Sequence, residues 1–336
     1  MGPEPRVSVV APFYNTAEYI AEAIESVLAQ SYSNFEFLLV NNKSTDGSRE
    51  IALKFAARDS RVKFFDNETF VGQAENYNGA LRRIGADSKY VKMVQMDDTI
   101  FPDCISKMVE VAERDPRIGL VSSFYLNGNE PRNVGVPYGT WRLPGSQACR
   151  LMLATECFLL GTPTVVMYRA DIVRARETFF PTERYHHHPD TEAGYDLLLQ
   201  HDFGFVHQIL SFCRTQDESI TARRSSFNPE ALDYLITLER YGRQVLSEAE
   251  FKKLSTRKWD YYWRFLARSL LARRDEEFWG YHRDGLAAIG RELNAGEIAR
   301  HTLGAAVRLA AHPVDSMERL GARLLGTKPA ALRTRW

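Results

Sequence analysis

The sequence predicts an α/β fold, a mostly parallel sheet flanked by helices, with a helical C-terminal region. Three observations carry the α/β part of that prediction. Short apolar, β-branched runs alternate with helix-period segments from Val7 to about Phe124. After about Asn228 the pattern is helical to the end. The apolar share of 44% over 336 residues is enough for a substantial core.

The first strand is expected over Val7–Ala11 and the first helix over Ala17–Gln30, whose Ile20, Ala23, Ile24, Val27 and Leu28 share one face. Further strands follow at Glu36–Val40, Val62–Asp66, Tyr90–Met96 and Ile118–Phe124. Helices are expected between them at Gly47–Ala57, Gln73–Ile84 and Pro102–Arg114, the last opened by Pro102 and Asp103. Strands joined by crossover helices imply parallel pairing with both sheet faces covered.

From Asn127 to Pro144 the composition turns to Gly, Pro and Asn, which predicts a long loop over the sheet edge. Regular structure resumes at Ser146–Phe158, Thr164–Tyr168 and a short helix at Ala170–Arg176. A polar loop, Pro181–Pro189, then leads to a helix at Asp190–Gln200 and a strand at Phe203–Phe212. Helices follow at Pro229–Val245, Ser247–Arg273, Glu276–Leu293 and Ala295–Ala311, so the expected domains are 1–227 and 228–336.

Lys plus Arg and Asp plus Glu both total 43, which argues against nucleic acid as a default partner. Cys104, Cys149, Cys157 and Cys213 are too scattered for a zinc site or redox dithiol and read as reduced, mostly buried thiols. Met1 to Arg6 leave no room for a signal peptide, and no apolar run approaches the roughly 18 residues of a membrane span. The expected location is cytoplasmic, with room for a peripheral contact at the inner face of the membrane.

In an open parallel sheet, ligands bind beyond the carboxyl ends of the strands, so polar clusters after apolar runs are the candidate sites. Pro12, Phe13, Tyr14 and Asn15 supply an aromatic pair and an amide suited to a base; packing is the plainer reading. The cluster Asn41-Asn42-Lys43-Ser44-Thr45-Asp46-Gly47 suits a base or ribose, with Ser44, Thr45 or Asp46 as helix cap. Asp97 and Asp98 are adjacent carboxylates behind a buried strand, where Mg²⁺ or Mn²⁺ carrying a diphosphate offsets their repulsion; a solvated loop capping the next helix is the alternative.

The fourth cluster runs His186-His187-His188-Pro189-Asp190-Thr191-Glu192. A carboxylate here suits a general base, or simply a helix N-terminus. Three consecutive His rings seldom face one ion, which weakens a zinc reading.

Taken in order, these segments resemble family-2 glycosyltransferases of the GT-A fold over roughly residues 6 to 225. Val7–Asn15 is similar to the family's opening strand, and Ser26–Tyr32 with Phe35-Glu36 to the passage into its second strand. Gly72, Asn76 and Asn78 resemble its glycine-and-asparagine helix start, and Gly161–Thr164 with Tyr168–Asp171 its acceptor-side segment. Phe203–Gln208 is similar to its closing strand.

The resemblance implies an inverting, metal-dependent enzyme using a nucleotide-diphosphate sugar. It places Pro12, Phe13, Tyr14, Asn15, Asn42 and Asn76 at the donor nucleotide and Asp97 near the ribose or diphosphate. Asp98 falls on the DXD-type motif as the ligand of Mn²⁺ or Mg²⁺, and Asp190 on the catalytic base, with Asp196 and Glu192 as alternatives. Where the family usually has an acid that reads the base, this chain has Asn41 and Asn42. Arg214 through Ser219 resembles the region that closes over the diphosphate.

The expected acceptor is a saccharide or lipid-linked saccharide of surface polysaccharide or glycoconjugate synthesis. Arg-rich stretches at Arg264–Arg274 and Arg300–Arg308 suit a lid, a dimer face, a membrane contact or a solvated bundle face. Two rival readings are a nucleotidyltransferase and a non-catalytic sugar-nucleotide or glycan-binding protein. No Gly-rich basic loop precedes Asp46, which weighs against the first, and dinucleotide and P-loop fingerprints are absent.

Overall fold

The computed structural model describes residues 4–155, 157–182, 188–215 and 227–311, with the side chains of 305–311 excepted. The chain forms two compact units, Met1–Lys252 and Lys253–Trp336. The first contains the sheet. Its strands are β1 (Val7–Phe13), β2 (Phe35–Asn41), β3 (Val62–Asp66), β4 (Tyr90–Met93), β5 (Thr99–Ile100), β6 (Ile118–Asn127), β7 (Glu130–Arg132), β8 (Arg142–Leu143), β9 (Met167–Arg169) and β10 (Asp202–Cys213).

The order is β3-β2-β1-β4-β9-β6-β10-β5, with β7 on β6 and β8 on β10. The long pairings β1 with β2, β1 with β4, β2 with β3 and β6 with β10 are parallel. Every residue of β1 and β2 is buried, as the unbroken apolar runs require of strands covered on both faces.

The sequence gives no sign that β9 runs antiparallel to both its neighbours, β4 and β6. Its direction follows from where the chain enters. Thr164 meets the carboxyl end of β4, and Arg169 pairs with Tyr90 at the other end. The segment ending at Thr164 is thereby delivered to the carboxyl edge of the sheet.

The helices of this unit are α1 (Ile20–Leu28), α2 (Ser48–Ala56), α3 (Gln73–Leu81), α4 (Cys104–Glu113), α5 (Gly145–Thr155), α6 (Ala170–Arg174), α7 (Pro189–Leu198) and α8 (Pro229–Val245). α1 buries Ile20, Ala23, Ile24 and Val27, the expected face, while Leu28 is only partly buried. It opens later than Ala17 because residues 15–17 are tied to the next loop. Asn15 N–H donates to Ser44 Oγ (3.0 Å), Thr16 N–H to Ser48 Oγ (2.8 Å) and Ala17 N–H to Asp46 Oδ2 (2.8 Å).

The passage from Asn127 to Pro144 is less structureless than expected, since β7 and β8 interrupt it with two short antiparallel pairings. α5 begins where Gly145 leaves no room for a side chain: an added Cβ would lie 1.9 Å from Leu198 O and 2.0 Å from His201 O. That close approach packs α5 on the end of α7.

α8 continues this packing. Tyr234 Oη donates to Leu153 O on α5 (2.5 Å), and Tyr241 stacks on Tyr195 of α7 with ring centroids 5.1 Å apart. The contact-defined units thus divide at Lys252 and Lys253, and α8 goes with the sheet, whereas composition changes at 227/228. The helices α9 (Glu248–Leu271), α10 (Glu276–Ala287) and α11 (Ala295–Ala311) follow, α9 carrying the division. In the second unit Tyr262 and His282 are fully buried and share a 2.7 Å hydrogen bond.

Cys104, Cys149 and Cys213 are buried and Cys157 is half-buried, all as free thiols. No helix among the described residues is long and apolar enough to cross a membrane.

Candidate active site

The carboxyl ends of β1, β2 and β4 bring three of the expected clusters to one edge. Pro12 and Phe13 remain inside β1, and Phe13 belongs to the core rather than to a ligand surface. Tyr14 is 45% exposed and lies 4.9 Å, centroid to centroid, from Phe70, which is 60% exposed. Asn15 adopts a left-handed backbone at φ 50°, and its Oδ1 accepts from Thr45 N–H (2.8 Å).

Asn42 spends most of its amide within the chain. It is 3% exposed; Nδ2 donates to Val71 O (2.8 Å), while Oδ1 accepts from Val71 N–H and Asn67 Nδ2 (both 3.1 Å). The chain takes three of the four hydrogen-bonding positions of this amide and leaves one Nδ2 hydrogen. Asn76 is also buried and accepts from Asn67 Nδ2 through Oδ1 (2.8 Å). Asn41 Nδ2 donates to Asp66 Oδ1 (2.8 Å) and its Oδ1 accepts from Ser44 N–H (3.0 Å). Asn78 ties α3 to the segment before α7, donating to Phe180 O and accepting from the N–H groups of Phe179 and Phe180.

The two aspartates after β4 differ sharply. Asp98 is 4% exposed; Oδ2 accepts from Thr164 Oγ1 (2.6 Å) and Oδ1 from Arg214 N–H (3.1 Å). Burial, then the charge of Asp97, push its carboxyl up to about 7 against those bonds. Each Asp98 oxygen has accepted one bond and keeps a further lone pair, so Asp98 can still serve as the expected metal ligand, beside a less encumbered Asp97. Asp97 is only partly buried, and no side chain among the described residues is bonded to it. Burial raises its carboxyl too, and Arg214 opposes that rise.

Arg214 lies over the Tyr19 ring (4.9 Å to the centroid) and pairs with Glu22. Its buried Nε has no hydrogen-bond partner among the described residues. Beneath the site, fully buried Lys92 donates to Thr164 O and Val166 O (3.4 Å), and burial lowers its ammonium. Gly161, left-handed at φ +67° and crowded by Val165 and Tyr125, turns the chain into this contact.

Asp190 stands at the N-terminal turn of α7. Burial raises its carboxyl, opposed by His188 and by backbone N–H groups including that of Thr191. The two alternatives are occupied elsewhere: Glu192 pairs with Arg240, and Asp196 accepts from Tyr241 Oη (2.7 Å). His186 and His187, like Gln216 to Ser219, lie outside the described residues.

Sequence reasoning passed over Tyr77, a buried phenol bonded to the loop after β4. It is 7% exposed, and its Oη accepts from Gln73 Nε2 and Gln95 Nε2 (both 3.0 Å). Burial raises its phenol, and the charges of Asp97 and Asp190 both add to that rise. A tyrosine on the buried face of α3, four residues from Gln73, was its only signal.

The donor set fits a divalent cation in part. Among the described residues no group of three or more His, Cys, Asp or Glu side chains forms a metal cage. A hard cation held by one or two carboxylates and completed by a ligand's phosphates needs none. Asp97 can supply that carboxylate.

Comparison with known proteins places the site in context. The model of Glycosyl transferase family 2 matches residues 8–175. A Bacillus subtilis protein named as the glycosyltransferase EpsE is 30% identical over 226 residues, which cover 67% of this chain and 78% of that one. The glycosyltransferase GlyG of Streptococcus pneumoniae is 34% identical over 120 residues, 35% of this chain and 39% of that one. S. aureus TarS in complex with UDP-GlcNAc aligns at TM-score 0.60 and 17% identity over 84% of this chain and 80% of that one. The mannosyltransferase PcManGT of Pyrobaculum calidifontis, solved with GDP-Man and Mn²⁺, aligns at 0.50 and 17% identity over 91% and 81%. At such identities the structural likeness speaks for the GT-A-type fold.

Proposed function

The chain belongs to glycosyl transferase family 2, and from that premise we propose that it moves a sugar from a nucleotide-diphosphate sugar to a hydroxyl acceptor by inverting displacement. The family match over residues 8–175 carries this reading, with Asp97 following β4 and Asp190 in the first turn of α7 as the acids it would use. In the proposed step the Asp190 carboxylate takes the proton of the acceptor hydroxyl as its oxygen attacks the anomeric carbon. The bond to the diphosphate breaks, and the diphosphate leaves with the electron pair. A carboxyl raised by burial is a better match to a base working near neutrality than an ordinary aspartate.

Asp98, with Asp97 beside it, would hold the divalent cation, Mn²⁺ or Mg²⁺, while Thr164 and the Arg214 amide fix the Asp98 carboxylate in place. When bound, the cation stabilises the negative charge of the leaving diphosphate. Arg214 brings a fixed positive charge to the same place. Tyr14 and Phe70 offer the exposed rings for a base.

The acceptor we propose is a saccharide or lipid-linked saccharide for surface polysaccharide. A B. subtilis relative, 36% identical over 107 residues, is named for teichuronic acid biosynthesis, and this chain spans 42% of it. The reaction would take place in the cytoplasm or at the inner face of the membrane.

The test measures binding and nucleoside diphosphate release with UDP-GlcNAc, UDP-glucose and GDP-mannose, with and without Mn²⁺. The wild type is compared with Asp97→Ala, Asp98→Ala and Asp190→Asn. Metal-linked binding lost in Asp98→Ala and in Asp97→Ala, with Asp190→Asn binding donor but not turning it over, supports the assignment. Metal-independent binding would overturn the roles of both aspartates. Donor binding without turnover by the wild type, with acceptor sugars supplied, would favour a sugar-nucleotide-binding protein.

A further inference from the structure

From Lys253 onward α9 belongs to the second compact unit, and there its two sides are unlike. Leu254, Tyr262, Leu266 and Ala267 are buried and serve the packing of that unit. On the other side Lys253, Arg257, Tyr261, Arg264, Arg268 and Leu271 are exposed. Successive members stand three or four residues apart, which keeps them within an arc of roughly 80° and along about 27 Å of one helix face.

This stripe holds four cations and no acid. Asp260 sits at its margin, bonded to Arg264. The acids that follow the helix are engaged elsewhere: Asp275 caps α10 by accepting from Phe278 N–H (2.9 Å), and Glu276 pairs with Arg283. The chain as a whole carries equal numbers of basic and acidic side chains, so the stripe is positive charge set apart rather than a share of a basic protein.

Charge alone would suit any polyanion, and the apolar members of the stripe narrow the choice. Tyr261 is 54% exposed in its middle, and Leu271 is 63% exposed at its end, next to Leu270 at 49%. A nucleic acid's phosphate backbone gives a leucine nothing to bury against. The boundary between lipid headgroups and acyl chains takes cations and apolar side chains together. A second copy of this chain is a poor fit, because a self-complementary contact on this face would set cation against cation.

We propose that this face of α9 docks on an anionic lipid surface, with Arg257, Arg264 and Arg268 among the headgroup phosphates and Tyr261 and Leu271 seated between headgroups. This goes beyond the location proposed above by naming the surface, and it holds whether or not the chain transfers a sugar.

The test sediments the full chain with vesicles of phosphatidylcholine alone, and of phosphatidylcholine with an equal part of phosphatidylglycerol, at low and at physiological salt, without donor or acceptor. Binding to the anionic vesicles only, weakening as salt rises, is expected. Lys253→Gln, Arg264→Gln and Arg268→Gln combined should weaken it by roughly 100-fold, about fivefold for each cation. Tyr261→Ser with Leu271→Ser should weaken it by roughly 10-fold, while binding to heparin, a polyanion without an apolar layer, stays as in the wild type.

Equal binding to neutral vesicles, or undiminished binding of the triple Gln variant to anionic ones, would overturn the proposal. So would a double Ser variant that binds anionic vesicles as the wild type does, which would leave a face for polyanions such as RNA. A dimer in sedimentation velocity that the Gln substitutions dissolve would give the face to a second copy instead. If the triple variant fails to fold, Arg268→Gln alone, on the same exposed face, takes its place with an expected loss of about fivefold.

Discussion

Two regions of the same sheet edge are equally polar in sequence and opposite in use. Around β2, the amides of Asn41 and Asn42 are bonded to Asp66, Ser44, Val71 and Asn67. Around β4 and α7, among the described residues, Asp97 keeps a carboxylate without a side-chain partner and Arg214 an unpartnered Nε. The first region uses its polar groups to hold loops, and the second holds them ready for something else. Strand-end position alone does not separate the two; the count of internal partners does.

The contrast breaks most directly at Asp190. Asp190→Asn is expected to lower kcat by about 10²–10⁴-fold, the usual worth of a general base, without lowering the melting temperature. A variant that keeps its rate would return Asp190 to the role of a helix-end acid.

On the other side, Asn42→Ala strips both backbone groups of Val71 of their partner. It should cost on the order of 2–3 kcal/mol of stability, read by denaturant unfolding, while kcat of the folded protein changes little. A large fall in donor affinity at unchanged stability would mean that Asn42 reaches the ligand after all.

Asp98 supplies a pH test between the two. Burial and the charge of Asp97 push its folded carboxyl up to about 7, above the roughly 3.9 of an unfolded aspartate, so the folded state holds that proton more tightly. Its contribution to stability is full below pH about 4 and is lost as the pH rises through about 7. With chelator present, the wild type should therefore lose more stability over that interval than Asp98→Asn, and thermal unfolding across pH checks it. Equal slopes would show that Asp98 is already ionised there.

The smallest expected effect is Ser44→Ala, which removes one exposed bond to Asn15 N–H. A change within about 1 kcal/mol, with donor affinity unaltered, would confirm that this loop contact is modest.

The alternation of strands and helices was legible because burial on both faces writes itself as unbroken apolar runs, as in β1 and β2. The short β5, β7 and β8 were not, since two or three residues carry no period. The candidate site was half legible. Asp97, Asp98 and Asp190 stand out as acids beside strand and helix ends. Which aspartate is open depends on Thr164 and Arg214, partners far away in the chain that no local pattern couples to it. Tyr77 reads as an ordinary core aromatic until its two amide neighbours are seen together.

The grip of α8 on α7 bears on how short a working version of this protein can be. Tyr241 and Arg240 steady the helix that carries Asp190 by bonding Asp196 and Glu192. A chain cut after residue 227 would keep every acid of the candidate site and lose the brace behind one of them. One cut after residue 252 would keep both, which sets the minimal module at the end of the first compact unit rather than at the end of the sheet.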